Sequence, residues 1–167
     1  MKLLAMVAVG AALAGCGGDH ARRLPTESQA PPPAPRVRAL PADPREVAVI
    51  RRWSDTLRSG RVNAASRFFH VPALAQNGGP ELPLKSLTDV RIFNSSLPCG
   101  AVLLDARRVA GGYTLAVFRL TDRPGGDCGT GTGQRAAAAF RFDGDLITEW
   151  RRVAVPRFAR AEPKPRI

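Results

Sequence analysis

The sequence predicts an α+β domain in which three N-terminal helices pack on an antiparallel sheet of about four long strands plus a short one. Three observations carry that prediction. Between Asp43 and Leu97 the apolar residues recur at helical spacing and are punctuated by capping and breaking residues. From Ala101 to Val155 the pattern changes to extended runs separated by Gly-Gly and Asp-Gly turn signals. The segment between Gly17 and Asp43 has almost no large apolar residues, so it contributes to neither layer.

Taken in order, the chain begins with Met1-Lys2 and an apolar run from Leu3 to Leu13, which ends at Leu13-Ala14-Gly15-Cys16. A charged start and an apolar stretch of this length suit a secretory signal. A membrane-spanning helix needs about 20 apolar residues, and this run stops short. The four residues ending at Cys16 resemble a bacterial lipobox, at which the cysteine thiol is acylated and the leader is cut just before it. Residues 1–15 are then a lipoprotein signal peptide. Residues 16–43 are an acylated cysteine followed by a disordered tether, extended by Pro31-Pro32-Pro33 and Pro35. The expected location is the extracytoplasmic face of a cell membrane, with lipid on Cys16 as the anchor.

The folded domain is expected over residues 44–155. Asp43 suits an N-cap and Pro44 the first helical position, and Glu46 completes an Asp-x-x-Glu capping box. Val47, Ile50, Ser54 and Leu57 share one face with Trp53 beside them, and Gly60 ends the helix. A second helix is expected from Val62 to His70, with Val62, Ala65, Phe68 and Phe69 as its apolar side and Val71-Pro72 as its end. A brief strand fits Ala73 to Gln76. The third helix spans Ser86 to Ser95, by the spacing of Leu87, Val90, Phe93 and Leu97, and Pro98 stops it.

Four strands follow, at 101–109, 113–122, 134–142 and 146–155. A two-residue turn at Gly111-Gly112 and a turn at Asp143-Gly144-Asp145 join them in pairs. Arg135 and Arg141 share one phase of the third strand, which sends Ala136, Ala138, Phe140 and Phe142 inward. Glu149 and Arg151 outward put Trp150 inward. The phase of the first two strands stays open. Residues 156–167 read as a disordered basic tail.

The formal net charge is +11, almost all of it arginine, since lysine occurs only at Lys2, Lys85 and Lys164. The arginines are scattered and not interleaved with aromatics, which argues against nucleic acid as the partner. With Cys16 used by lipid, Cys99 and Cys128 remain as an even pair in an oxidising compartment, and a disulfide is expected. Those cysteines with His20 and His70 match no zinc spacing, so neither metal nor cofactor is expected. Gly129-Thr130-Gly131-Thr132-Gly133 has the glycines of a phosphate loop but no helix after it.

Three segments carry a family likeness: Ile50 to Gly60, Val62 to Phe69, and the closing Phe140-Arg141-Phe142-Asp143-Gly144-Asp145-Leu146-Ile147-Thr148-Glu149-Trp150. In this order they resemble the NTF2-like, or SnoaL-like, superfamily over about Arg45 to Val155. The Leu97-Pro98-Cys99-Gly100 and Cys128 to Gly133 segments resemble a branch of secreted actinobacterial members. The resemblance implies a strongly curved sheet wrapped around helices, a cone with a pocket at its open end. Trp53, Phe68, Phe69, Phe140 and Trp150 are the candidate lining residues.

The ketosteroid isomerases of that superfamily place an aspartate on the strand after the second helix, where this chain has Val71-Pro72-Ala73-Leu74-Ala75-Gln76-Asn77. No catalytic residue is therefore carried over; His70 is the best lone base. The reading favours a non-catalytic domain that binds a protein partner or a small apolar ligand. Its rivals are a small lyase or isomerase of the ketosteroid isomerase-like type, and a structural envelope protein on anionic lipid or wall polymer.

Overall fold

Asp43 starts the first helix by accepting a hydrogen bond on its carboxylate from the Arg45 N–H at 2.8 Å. In the computed structural model, which describes residues 36, 37 and 39–158, two short strands precede that helix: β1 (Arg36–Val37) and β2 (Leu40–Pro41). These residues belong to the unit Pro33–Ile167; the leader, Cys16 and most of the tether and tail lie outside the described residues. Helix α1 (Pro44–Arg58) buries Val49, Ile50, Trp53, Ser54 and Leu57. The expected capping box does not close. Glu46 turns to the sheet instead, accepting from the Thr114 hydroxyl and from Arg108 Nη1, the latter at 3.2 Å. Asp43 is exposed, so water can serve its N–H, whereas the buried Thr114 hydroxyl has no such recourse.

Gly60 follows α1 with φ +77, and a Cβ there would stand 2.9 Å from Pro124 Cβ. Helix α2 is only Val62–Ala65, continued by one tighter turn over Ser66–Phe68. The helix expected through His70 is thus cut short by β3 (Phe69–Gln76). Pro72 interrupts no helix. It sits exposed in β3, where the ladder to the neighbouring strand is broken between Phe69 and Leu74, so its missing N–H leaves no gap. Strand β4 (Leu82–Leu84) doubles back on β3. Helix α3 (Leu87–Ser96) opens with a closed capping box: Asp89 N–H donates to Ser86 Oγ, and Ser86 N–H donates to Asp89 Oδ2.

Four long strands complete the sheet: β5 (Gly100–Val109), β6 (Tyr113–Thr121), β7 (Arg135–Asp143) and β8 (Leu146–Val153). The first turn holds three residues, Ala110–Gly112, not two, and Val109 pairs with Tyr113. The order β2-β5-β6-β7-β8-β3-β4 makes seven strands where five were expected. The sheet is mixed rather than antiparallel, because β3 lies parallel to β8. Bulges between Leu103 and Asp105 and between Arg141 and Phe142 bend it. Beyond it, β9 (Arg157–Phe158) pairs in parallel with β1, so the expected tether and tail contribute a small ribbon of their own.

The core lies between the helices and the concave face. Phe140 is fully buried at its centre. Trp53 meets Phe140 and Phe69 edge-on at 5.7 and 6.2 Å, and the contact continues through Phe93 to Trp150 at 5.1 Å. The open phase of β6 is settled by Thr114, Ala116 and Phe118 facing α1 and the core. Leu115 and Val117 form a second small cluster with Ala137 on the other face.

Candidate functional site: an apolar cavity beside the disulfide

The alternation of β7 and β8 creates a gap. Ala136 and Ala138 face the same side as Phe140, but their side chains are too small to reach the helices. The result is a cavity of about 90 Å³. Its walls come from α1 (Trp53, Ser54 and Leu57), from Leu97, Pro98 and Cys99 after α3, and from Ala101, Phe118, Ala138 and Trp150 of the sheet. Asn77 and Arg152 line it too, and both are exposed, marking the side that meets solvent.

Two polar groups in the wall are satisfied within the protein. Trp53 Nε1 donates to Asn94 Oδ1 at 3.3 Å, and Ser54 Oγ donates to the Arg51 carbonyl at 3.0 Å. The third is not: Trp150 is 6% exposed, and its indole N–H is buried without an acceptor. Arg152 stands two residues further along β8, so it shares the face of Trp150. Trp150 pairs with Ala75 and Arg151 with Gln76, which brings Asn77 alongside Arg152. Arg152 makes no ion pair among the described residues. Among the described residues, no carboxylate or histidine lines the cavity.

The disulfide forms one rim. Cys99 Sγ and Cys128 Sγ are bonded, with Cα atoms 4.5 Å apart. The loop from Asp122 to Gln134 that carries Cys128 is held a second time by Arg123. Its guanidinium donates to the carbonyls of Leu97 (2.6 and 2.9 Å), Ser95 (3.1 Å) and Asn94 (3.4 Å), the bare C-terminal end of α3. Gly126 is needed beneath it, because a Cβ there would lie 2.3 Å from the Pro98 carbonyl oxygen.

Of the five candidate lining residues, Trp53 and Trp150 border the cavity and the other three do not. Phe69 and Phe140 are packed into the core beneath it. Phe68 is half-buried on the helical side, with the Arg52 guanidinium 5.8 Å from its ring centre. His70 is on β3, half-buried and away from the wall. Asn77 and Arg152 were not singled out, although the phase that sends Trp150 inward also sends Arg152 there. Arg123 carried no local signal, since its partners at the end of α3 lie 26 or more residues away.

A separate charged cluster occupies the opposite face of the sheet. Glu149 accepts from the Tyr113 hydroxyl at 2.7 Å, from Arg151 Nε at 2.9 Å and from Arg141 Nη1 at 3.2 Å. Burial pushes its carboxyl pKa up, but the Tyr113 and Arg151 hydrogen bonds and the two guanidinium charges outweigh that and hold it below the ordinary glutamate range. Arg151 also reaches Glu81 at 2.7 Å, and Arg141 lies over the Tyr113 ring. Both carboxylate oxygens of Glu149 are hydrogen-bonded, so the cluster fastens β8 to β6, β7 and the turn after β3.

No protein-family model matches the chain, and no curated protein matches it. Solved structures do resemble it. A protein provisionally described as a polyketide cyclase, from Sinorhizobium meliloti, aligns with TM-score 0.49 and 14% identity over 64% of this chain and 94% of its own. One provisionally described as a ketosteroid isomerase, from Kribbella flavida, gives TM-score 0.48 and 14% identity over 73% and 91%. An NTF2-like protein of unknown function from Cytophaga hutchinsonii gives 0.49 and 8% over 65% and 88%. At such scores they lend no weight to any substrate or activity.

Proposed function

We propose that this chain is a membrane-tethered, extracytoplasmic lipoprotein whose folded domain binds a small apolar ligand without catalysing a reaction. One observation carries the binding part of this reading. The cavity is walled by Trp53, Leu57, Leu97, Phe118 and Trp150, and no carboxylate or histidine of the described residues reaches it. Such a site removes apolar surface from water, worth about 25 cal/mol per Å², and supplies no group to take or give a proton. The tether rests on Leu13-Ala14-Gly15-Cys16. A protein partner covering the cavity mouth would use the same apolar wall.

The test is to extract purified domain with organic solvent and identify released small molecules by mass spectrometry, beside the variant Ala138→Leu. The leucine fills the cavity from β7. A compound present in the parent and absent from the variant supports the reading; equal recovery from both sinks it.

Of the two rivals, the lyase or isomerase needs an acid/base group at the cavity, and the wall offers none from the described residues. The envelope-surface reading has an observation of its own. Arg45, Arg51, Arg52, Arg61, Arg67 and Arg91 stand on or beside the helices with no ion pair among the described residues. Anionic vesicles would draw such a face at roughly 1 kcal/mol per charge near the surface. Salt-sensitive binding of the unacylated domain to these vesicles would favour that reading.

A further inference from the structure

We propose that the cavity selects organic acids: its ligand is a small amphiphile whose carboxylate is held between the indole N–H of Trp150 and the guanidinium of Arg152, with its apolar body against Trp53 and Phe118. This rests on the binding reading above and names the ligand class. Two of the polar groups the site offers without internal partners, the Trp150 indole N–H and the Arg152 guanidinium, can only donate. Trp150 Nε1 is buried with no acceptor, and an indole N–H can only donate. A buried donor left unpaired is costly, so the site is complete only when an acceptor occupies it. Arg152 supplies the charge, since no carboxylate of the described residues pairs with it.

Residues 150 and 152 share the inward face of β8, and both line the cavity. Asn77, alongside Arg152 on the neighbouring strand's extension, adds an amide whose N–H₂ can donate to the same head group. A second observation points the same way. A shallow groove adjoining the cavity shares Ala136 and Arg152 with it and adds Arg135. Two guanidinium groups near one mouth raise the local concentration of anions. An alcohol could accept from Trp150 but would leave Arg152 without a counter-charge. An amine would meet two cations. A carboxylate meets both requirements and suits the planar fork of arginine.

The protein carries its own reporter. It has two tryptophans, Trp53 and Trp150, and both are in the cavity wall. Tryptophan fluorescence is titrated with benzoate, benzyl alcohol and benzylamine, which share a ring and differ in the head group. Hexanoate and hexanol repeat the comparison with a flexible body. The acids should bind at least about tenfold more tightly than the matching alcohols, and benzylamine should not bind. Arg152→Leu, at an exposed position, should erase the preference for acid, so that benzoate and benzyl alcohol bind alike. Trp150→Phe keeps Trp53 as reporter and should weaken benzoate.

Alcohols that bind as tightly as acids would overturn the proposal while leaving an apolar binding site in place. So would an acid preference that survives Arg152→Leu. Failure of every probe, with Ala138→Leu indistinguishable from the parent in its fluorescence, would remove the binding reading itself. Circular dichroism melts of each variant separate loss of binding from loss of fold.

Discussion

Arg123 is 6% exposed and has no carboxylate beside it; its partners are main-chain carbonyls at the end of α3. Removing it leaves those oxygens buried and unserved, so Arg123→Met should cost about 2–3 kcal/mol in denaturant unfolding. A loss below about 0.5 kcal/mol would mean that water serves them instead. Glu149 gives a pH prediction. Its folded pKa is depressed, so its contribution is present above the ordinary glutamate value and is lost as pH falls through the folded one. Thermal midpoints should therefore drop on acidification below about pH 4.5, and Glu149→Gln should flatten that part of the profile. His70→Ala should leave ligand binding intact, because His70 is not in the wall; a loss larger than about tenfold in fluorescence titrations would place it there. At this scale the sequence is legible wherever alternation decides direction, as for Trp150 and Phe140. It is not legible where the partner is distant. Glu46 has a good local use as a capping residue and a different one in the fold, because Thr114 lies 68 residues away. Phe68 and Phe69 are adjacent and apolar, and nothing local says that one will be core and the other a half-covered platform for Arg52.

Among the elements, α1 was readable from its N-cap, apolar stripe and Gly60, and α3 from the spacing of Leu87, Val90, Phe93 and Leu97 with Pro98 beyond. Asp43, Pro44 and Gly60 bracket α1, and Ser86 with Asp89 opens α3. Strand β3 was not readable as a whole. Its first half, Phe69-His70-Val71-Pro72, continues the apolar spacing of α2 and contains a proline, so local pattern favours a helix and its end. Pairing with β8 overrides that preference. The β5–β6 hairpin shows the same limit at its turn. Gly111 and Gly112 fit a two-residue turn, but Ala110 joins them, and the bulge after Leu103 shifts the register again. Continuing from the Gly100–Thr121 pair, Cys99 stands beside Asp122, and Cys128 returns through the loop to meet it. The disulfide closes 29 residues, for which the chain-entropy model gives roughly 3–4 kcal/mol. Reduction, or Cys99→Ser with Cys128→Ser, should lower the thermal midpoint clearly while near-ultraviolet circular dichroism at low temperature stays native-like, since Arg123 still ties the loop to α3. Two thiols titrating in the native protein would contradict this.

For the whole molecule, the order of helices before strands was legible from the change of period after Leu97, but the sheet's size and mixed direction were not, since β2 and β4 are two and three residues long. Attachment to a membrane is a statement about the whole molecule too. Cys16→Ser should leave the protein unacylated, either soluble or stalled as its precursor; membrane-fraction protein of normal mature mass would end the idea. The parallel ladder of β3 with β8 bears on how such a chain reaches its native state. The chain reaches β3 at residue 69 and supplies its partner only from residue 146. A chain emerging from its N-terminus first would have both long helices and β3 in hand while the far edge of β3 stayed open and Trp53, Phe69 and Phe93 stayed uncovered. Closing so long a loop is slow, and nothing earlier in the sequence can substitute for the closure. Strand β8 therefore acts as the latch of the domain, and a chain ending at Asp145 should be recovered aggregated or unfolded, whatever the quality of the 145 residues before it.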